Sequence, residues 1–332
     1  MGLADKLQLL RLFADLALGG GAAPDASVAE SVREVDGLRC DWYLPRTPLR
    51  STLVVAHGGD RRGQRNSRIV RLCRSLARRG VACAVPELVP LSRGRFDPCD
   101  LDELAAAATD ASRQTGQRAG LLGFCLGAGY ALCLAGRPEV SGALRFVVAV
   151  GGFHDLPALL DWHAAREGFT PRSEIEWDDA IYFRLWLAIA LQAELGVAPD
   201  TAAKMESLLE RFCDESSPAE KRAFFEEHLS PLPIGRVLRE QDRARLAAVS
   251  PRGHLAQVGC PVTLIHDRLD GVVPLAEAER ALAELRAGAG GERHRLVETL
   301  VLSQLTPARA LDLPALARLA AGLEPLVASA SE

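Results

Sequence analysis

The sequence predicts an α/β fold: a mainly parallel sheet with helices on both faces, broken by one long helical insertion. Three observations carry that expectation. Short, continuous apolar runs alternate with helical patterns up to residue 151, as strands buried on both faces require. From 155 to about 250 only helical periodicity remains. The alternation then resumes at Pro261.

Residues 3 to 18 repeat apolar positions at helical spacing, and Gly19-Gly20-Gly21 ends the run. Such a helix can pack on the body, on the insertion or on a second subunit. Ser31 to Val35 and Leu38 to Leu44 read as an antiparallel hairpin turned at Asp36-Gly37. Strands follow at Thr52–Ala56, Val81–Val85, Ala119–Leu122 and Phe146–Val150. Between them lie helices at Arg65–Arg79, Leu101–Arg113 and Gly127–Ala135. Ile181–Leu195, Ala202–Phe212 and Ala219–His228 are the clearest helices of the insertion, which also holds Trp162, Trp177 and Trp186. Pro261–Ile265 and Arg295–Leu302 complete the sheet, with helices at Leu275–Leu285 and Leu311–Leu323. The expected division is a core of 1–154 and 251–332, with 1–20 as an N-terminal helix, and a helical lid at 155–250.

A chain of 332 residues that is 48% hydrophobic can bury a full core. Its net charge of -4 gives no long-range field for nucleic acid or an anionic membrane. None of its eight cysteines forms a C-x-x-C pair, and no His/Cys cluster has zinc-ligand spacing. No signal peptide and no run of about 18 apolar residues is present. The expectation is a soluble, reduced, cytoplasmic protein that takes a small-molecule substrate or ligand, without metal or organic cofactor.

Three motifs carry chemistry. Gly123-Phe124-Cys125-Leu126-Gly127 fits G-x-[S/C]-x-G between a strand and an Ala/Leu-rich helix. A sharp strand-to-helix turn lifts its apex side chain above the sheet, and the small residues beside the apex make the turn possible. Cys125 is therefore the candidate nucleophile. The positive end of the following helix favours a thiolate and an oxyanion, with the Leu126 amide as one donor. His57-Gly58-Gly59 follows the strand ending at Ala56, where Gly58 and Gly59 let the backbone approach a carbonyl oxygen. Asp270, in Asp270-Gly271-Val272-Val273-Pro274, sits where a triad acid would, and is equally an Asp-Gly turn residue.

Together these motifs resemble the α/β-hydrolase superfamily over nearly the whole chain. The Gly-Phe-Cys-Leu-Gly elbow is similar to that of dienelactone-hydrolase-like members, which use a cysteine nucleophile. The resemblance implies an α/β-hydrolase fold, with Cys125 as nucleophile and Asp270 as acid. In those members the base follows the last strand, in a segment resembling L-x-S-H-x-x-P. Here that segment reads Leu302-Ser303-Gln304-Leu305-Thr306-Pro307, so Gln304 occupies the position of the missing base. Asp267 also departs from the glycine commonly found after the histidine corresponding to His266.

Two histidines could substitute, although neither has a motif behind it and each reads as well as a structural residue. His154 follows a central strand and shares its carboxyl edge with Cys125. His163 in the insertion can reach down. His294 precedes the last strand, about 30 Å from Gln304 at strand rise, on the opposite edge. Arg61 and Arg62 are candidates for holding a substrate carboxylate. Trp162 and Trp186 either line an apolar pocket or pack the insertion on the body. The expected activity is acyl transfer on a small ester, thioester or lactone through an incomplete triad. The alternatives are an inactive homologue that binds a ligand or partner, and a biosynthetic enzyme using the pocket for a non-hydrolytic step.

Overall fold

The apolar runs pair into one mixed sheet. In the computed structural model, which describes residues 11–12, 21, 23–35, 37–141, 143–165, 174–212, 216–299 and 313–327, eight strands lie in the order β1-β2-β4-β3-β5-β6-β7-β8. These are β1 (Val28–Val35), β2 (Leu38–Pro45), β3 (Ser51–Ala56), β4 (Val81–Pro86), β5 (Gly120–Phe124), β6 (Val147–Val150), β7 (Val262–Asp267) and β8 (Arg295–Thr299). The hairpin β1–β2 is antiparallel and joins β4 antiparallel; every pairing from β4 to β8 is parallel.

Helices connect the strands: α1 (Ser67–Ala77), α2 (Val89–Ser92), α3 (Cys99–Thr115), α4 (Leu126–Ala135), α5 (Pro138–Ser141), α12 (Leu275–Ala287) and α13 (Leu313–Val327). Between β6 and β7 the regular elements of the described chain are all helical: α6 (Leu156–Ala165), α7 (Glu174–Ala190), α8 (Pro199–Arg211), α9 (Pro218–Phe224), α10 (Ile234–Arg239) and α11 (Arg243–Ala248). Of the predicted N-terminal helix only Arg11 and Leu12 are described, both helical. The rest of it, and the expected end of the last strand at Leu302, lie outside the described residues.

Alternation along each strand makes two cores. Val54, Ala56, Leu121, Val147, Ala149 and Leu264 face a large cluster shared with α3, α4 and the insertion. Their neighbours Leu53, Val55, Leu122, Val148 and Ile265 face a smaller one with Cys73 and Leu76 of α1 and Leu319 and Leu326 of α13. All ten residues of α4 are buried, as expected of a helix that is apolar all round and enclosed on every side.

The insertion leaves and rejoins the core at one point. Glu277 of α12 accepts the backbone amides of His154 (2.7 Å) and Asp155 (2.9 Å). Ser250 Oγ accepts Leu156 N–H, and Arg252 N–H donates to the His154 carbonyl. The two ends of the insertion thus sit side by side with these backbone groups satisfied. No helix among the described residues is long and apolar enough to cross a membrane.

Candidate active site

Register gathers the motifs at the carboxyl edge of the parallel strands. Ala56 pairs with Gly123, Phe124 with Val150, and Val150 with Ile265. The loops that follow β3, β5, β6 and β7 therefore start level with one another. Chain order reverses between β3 and β5, since β4 lies on one side of β3 and β5 on the other. An open α/β sheet forms its crevice at such a switch point.

Cys125 stands at that point, half-buried, as the N-cap of α4. Its φ of 51° and ψ of -121° make it the single non-glycine residue with positive φ among the described residues. A side chain in that region is strained and persists when its surroundings hold it there. They do so by backbone contact. The Cys125 amide donates to Val150 O at 2.8 Å. A Cβ at Gly127 would lie 2.5 Å from Ala56 O and closer still to His57 O; a Cβ at Gly123 would meet Gly127 O at 2.6 Å. Both glycines are needed so that α4 can abut the end of β3. The first amides of α4, Leu126 among them, belong to the set that a helix leaves without intrahelical acceptors.

The His57–Gly59 loop, expected from sequence to be the oxyanion loop, lies directly against the elbow. A Cβ at Gly58 would come within 3.2 Å of Cys125 Cβ. The Gly58 carbonyl accepts from His57 Nδ1 at 2.8 Å and from the Asp60 amide at 2.9 Å. A carbonyl only accepts, so Nδ1 carries the proton. Burial holds the His57 pKa below the ordinary histidine value, against the pull of that same bond, which keeps the ring in this neutral tautomer. With the Gly58 carbonyl pinned, the trans peptide fixes the Gly59 N–H on the opposite side. His57 is thus a loop-shaping residue. Its Nε2 is buried with no hydrogen-bond partner, beside Gly63.

Asp60 closes the loop. Its carboxylate accepts from Arg62 (backbone N 2.7 Å, Nε and Nη2 3.2 Å), Asn66 Nδ2 (2.8 Å) and Tyr182 Oη (3.3 Å) of α7. Burial alone would raise its pKa, but these donors and the Arg62 charge outweigh burial and hold it below the usual carboxylate range. Arg61 forms an ion pair with Glu206 of α8. The two guanidinium groups read from sequence as arms for a substrate carboxylate thus pair with carboxylates of their own chain, Arg61 with Glu206 and Arg62 with Asp60.

Asp270 is buried in the turn after β7. Its Oδ1 accepts the amides of Val272 and Val273, each at 2.8 Å. The two carbonyls of the same residues are each taken by an imidazole. His163 Nε2 of α6 donates to Val272 O and His266 Nε2 to Val273 O, both at 2.8 Å. Asp270 Oδ2 lies 4.0 Å from His266 Nε2. Asp270 thus caps its own turn, one of the two roles weighed for it from sequence.

Trp186 of α7 is buried against the oxyanion loop, its ring 2.9 Å from where a Gly59 Cβ would stand, with Leu126 on the same side. It stacks on Phe183 (centroids 5.5 Å), which lies 4.5 Å from the His163 ring; Trp162 meets His163 edge-on at 4.8 Å. These aromatics form one column running from the Gly59 side to the Asp270 turn. His154 Nε2 is bound to Glu284 at 2.7 Å and its Nδ1 is buried without a hydrogen-bond partner, so neither nitrogen bonds the Cys125 thiol. His294 lies buried at the start of β8, on the opposite edge as expected. Gln304 lies outside the described residues. Among the described residues no group of three His, Cys, Asp or Glu side chains is arranged to hold a metal ion.

Sequence reasoning passed over two bonds, Tyr182 to Asp60 and His163 to Val272 O. They join residues 122 and 109 positions apart, and no local motif announces either.

No protein-family profile and no curated protein matches this sequence. Solved structures do. An esterase of Pyrococcus furiosus superposes with a TM-score of 0.51 at 14% identity, over 90% of this chain and 91% of that one. A candidate dienelactone hydrolase from Klebsiella pneumoniae gives 0.49 at 14% identity, over 90% and 98%. The acylaminoacyl peptidase of Pyrococcus horikoshii gives 0.48 at 12%; 82% of this chain aligns, spanning only 37% of that larger protein. The sheet order and the full-length superposition on the esterase show that this chain has the α/β-hydrolase fold.

Proposed function

We propose that this chain is an acyl-transfer hydrolase that attacks a small ester, thioester or lactone with Cys125. The observation that carries this reading is the conformation of Cys125: a strained positive φ at a helix N-terminus, with a glycine loop against its Cβ. Strain of this kind is retained where a side chain must be presented. The esterase and dienelactone hydrolase among the similar structures agree with the reaction class.

In the first step the Cys125 sulfur donates its electron pair to the substrate carbonyl carbon, and the carbonyl oxygen becomes an oxyanion. The Leu126 amide and the Gly58–Gly59 loop are the donors for it. Collapse of the adduct expels the alkoxide or thiolate leaving group, which takes up the thiol proton from solvent, and leaves a thioester on Cys125. A thiol is partly ionised at neutral pH, and a helix N-terminus increases that fraction, so this half needs no neighbouring base. Water must then be deprotonated to release the acid. Gln304 cannot accept that proton, and His154 is engaged with Glu284. The reading is therefore of an enzyme that acylates readily and turns over slowly.

Exposure to 4-nitrophenyl acetate followed by intact-mass and peptide mapping tests it. The expected result is one acetyl group on Cys125, lost in Cys125→Ala. Gln304→His should raise steady-state ester hydrolysis by about two to four orders of magnitude, the usual range for a positioned general base. Absence of an adduct on Cys125 refutes the reading. It would favour a ligand-binding homologue, for which the two Asp270 bonds to its own turn also speak.

A further inference from the structure

The helical insertion makes polar contacts with both the loop after β3 and the turn after β7, and one hydrogen bond to each is central here. Tyr182 Oη of α7 donates to Asp60, which organises the oxyanion loop; His163 Nε2 of α6 donates to Val272 O in the Asp270 turn. Between these two contacts run Trp186, Phe183 and His163 in ring-to-ring contact. Tyr182 and Trp186 are four residues apart on one helix face, so a single rigid element meets Asp60 and Gly59 together.

We propose that Tyr182 and His163 are positioning residues through which the insertion sets the geometry of both loops. In this view the docked insertion is a component of the site, and undocking it disorganises the oxyanion loop and the acid turn at once. The proposal rests on the assignment of Cys125 as nucleophile. Neither residue is assigned contact with the substrate. Tyr182 acts through Asp60 on the Gly58–Gly59 segment, and His163 acts through Val272 on the turn that Asp270 caps. His163 supplies a donor that a glutamine Nε2 can replace and a leucine cannot.

The test uses the full chain and 4-nitrophenyl acetate over a range of concentrations, following acetylation of Cys125 by mass spectrometry. Tyr182→Phe and His163→Leu should each lower the maximal acylation rate about three- to tenfold, the scale of one lost hydrogen bond. The half-saturating ester concentration should stay unchanged. His163→Gln should recover most of the rate. Wild-type maximal rates in Tyr182→Phe and His163→Leu, whatever their melting temperatures, would overturn the proposal. So would His163→Gln behaving like His163→Leu.

A wild-type protein that takes no acetyl group would instead refute the Cys125 assignment. The positioning roles are then judged by amide hydrogen exchange. Tyr182→Phe should speed exchange in residues 57–66 and His163→Leu in residues 267–274, each without the other. Unchanged exchange in both segments overturns the proposal.

Discussion

The elbow at Cys125 and the turn at Asp270 are held by different physics. Cys125 is fixed by backbone pressed on backbone: Gly127 against the carbonyls of Ala56 and His57, Gly123 against Gly127 and Ala128. Asp270 is fixed by polar side chains, its own carboxylate inside the turn and two imidazoles outside it. Steric fixation tolerates no added atom but needs no distant partner. Polar fixation tolerates changes of size but fails when one donor or acceptor is removed.

Substitutions separate the two. Gly127→Ala should cost the most, about 4 kcal/mol or more, because neither facing carbonyl can move without displacing a strand. A thermal melt would show a large drop or no folded protein; a near-native melt would show that the elbow yields.

Next comes Asp100 in α3, which is fully buried and accepts Leu91 N–H at 3.1 Å. Burial, and then the charge of Glu103, raise its pKa to about 8. The folded protein thus keeps a proton that the unfolded chain has released above its carboxylate pKa. This contribution is favourable at low pH, is lost as pH rises from about 4 to 8, and is constant beyond. Asp100→Asn should be more stable than wild type at pH 8 by a few kcal/mol, with a flatter dependence of stability on pH. Urea titrations at pH 5 and pH 8 that show the same difference between the proteins would contradict this.

In the turn, Asp270→Ala strands two buried amides and should cost about 2–4 kcal/mol, whereas Asp270→Asn keeps an acceptor and should cost less than half of that. Equal urea midpoints for the two variants would mean that the turn does not depend on Oδ1. The smallest effect is a gain. Cys125→Gly relieves the positive φ and should stabilise by about 1 kcal/mol while removing the thiol. A lower melting temperature would show that the Cβ contacts matter more than the strain.

The same contrast explains what was legible in the sequence. Backbone fixation leaves a signature of glycines at set intervals, so the elbow and the H-G-G loop were visible from residues alone. Polar fixation leaves none when the partners are far apart in the chain. Nothing around His163 points to Val272, and nothing around Tyr182 points to Asp60. The two arginines beside the loop divide in the same way: the partner of Arg62, Asp60, stands two residues before it and is legible locally, whereas the partner of Arg61, Glu206, is remote in the chain. Gln304 rests on the sequence alone.

The staple at Glu277 has a consequence of another kind. Because the chain departs at His154 and returns at Arg252 through a direct backbone hydrogen bond, everything between is a closed excursion from a continuous sheet. Such an excursion is a modular unit: its length and content can vary without tearing a strand from its neighbours. A different helical unit could be spliced in at this point while the sheet beneath stays as it is.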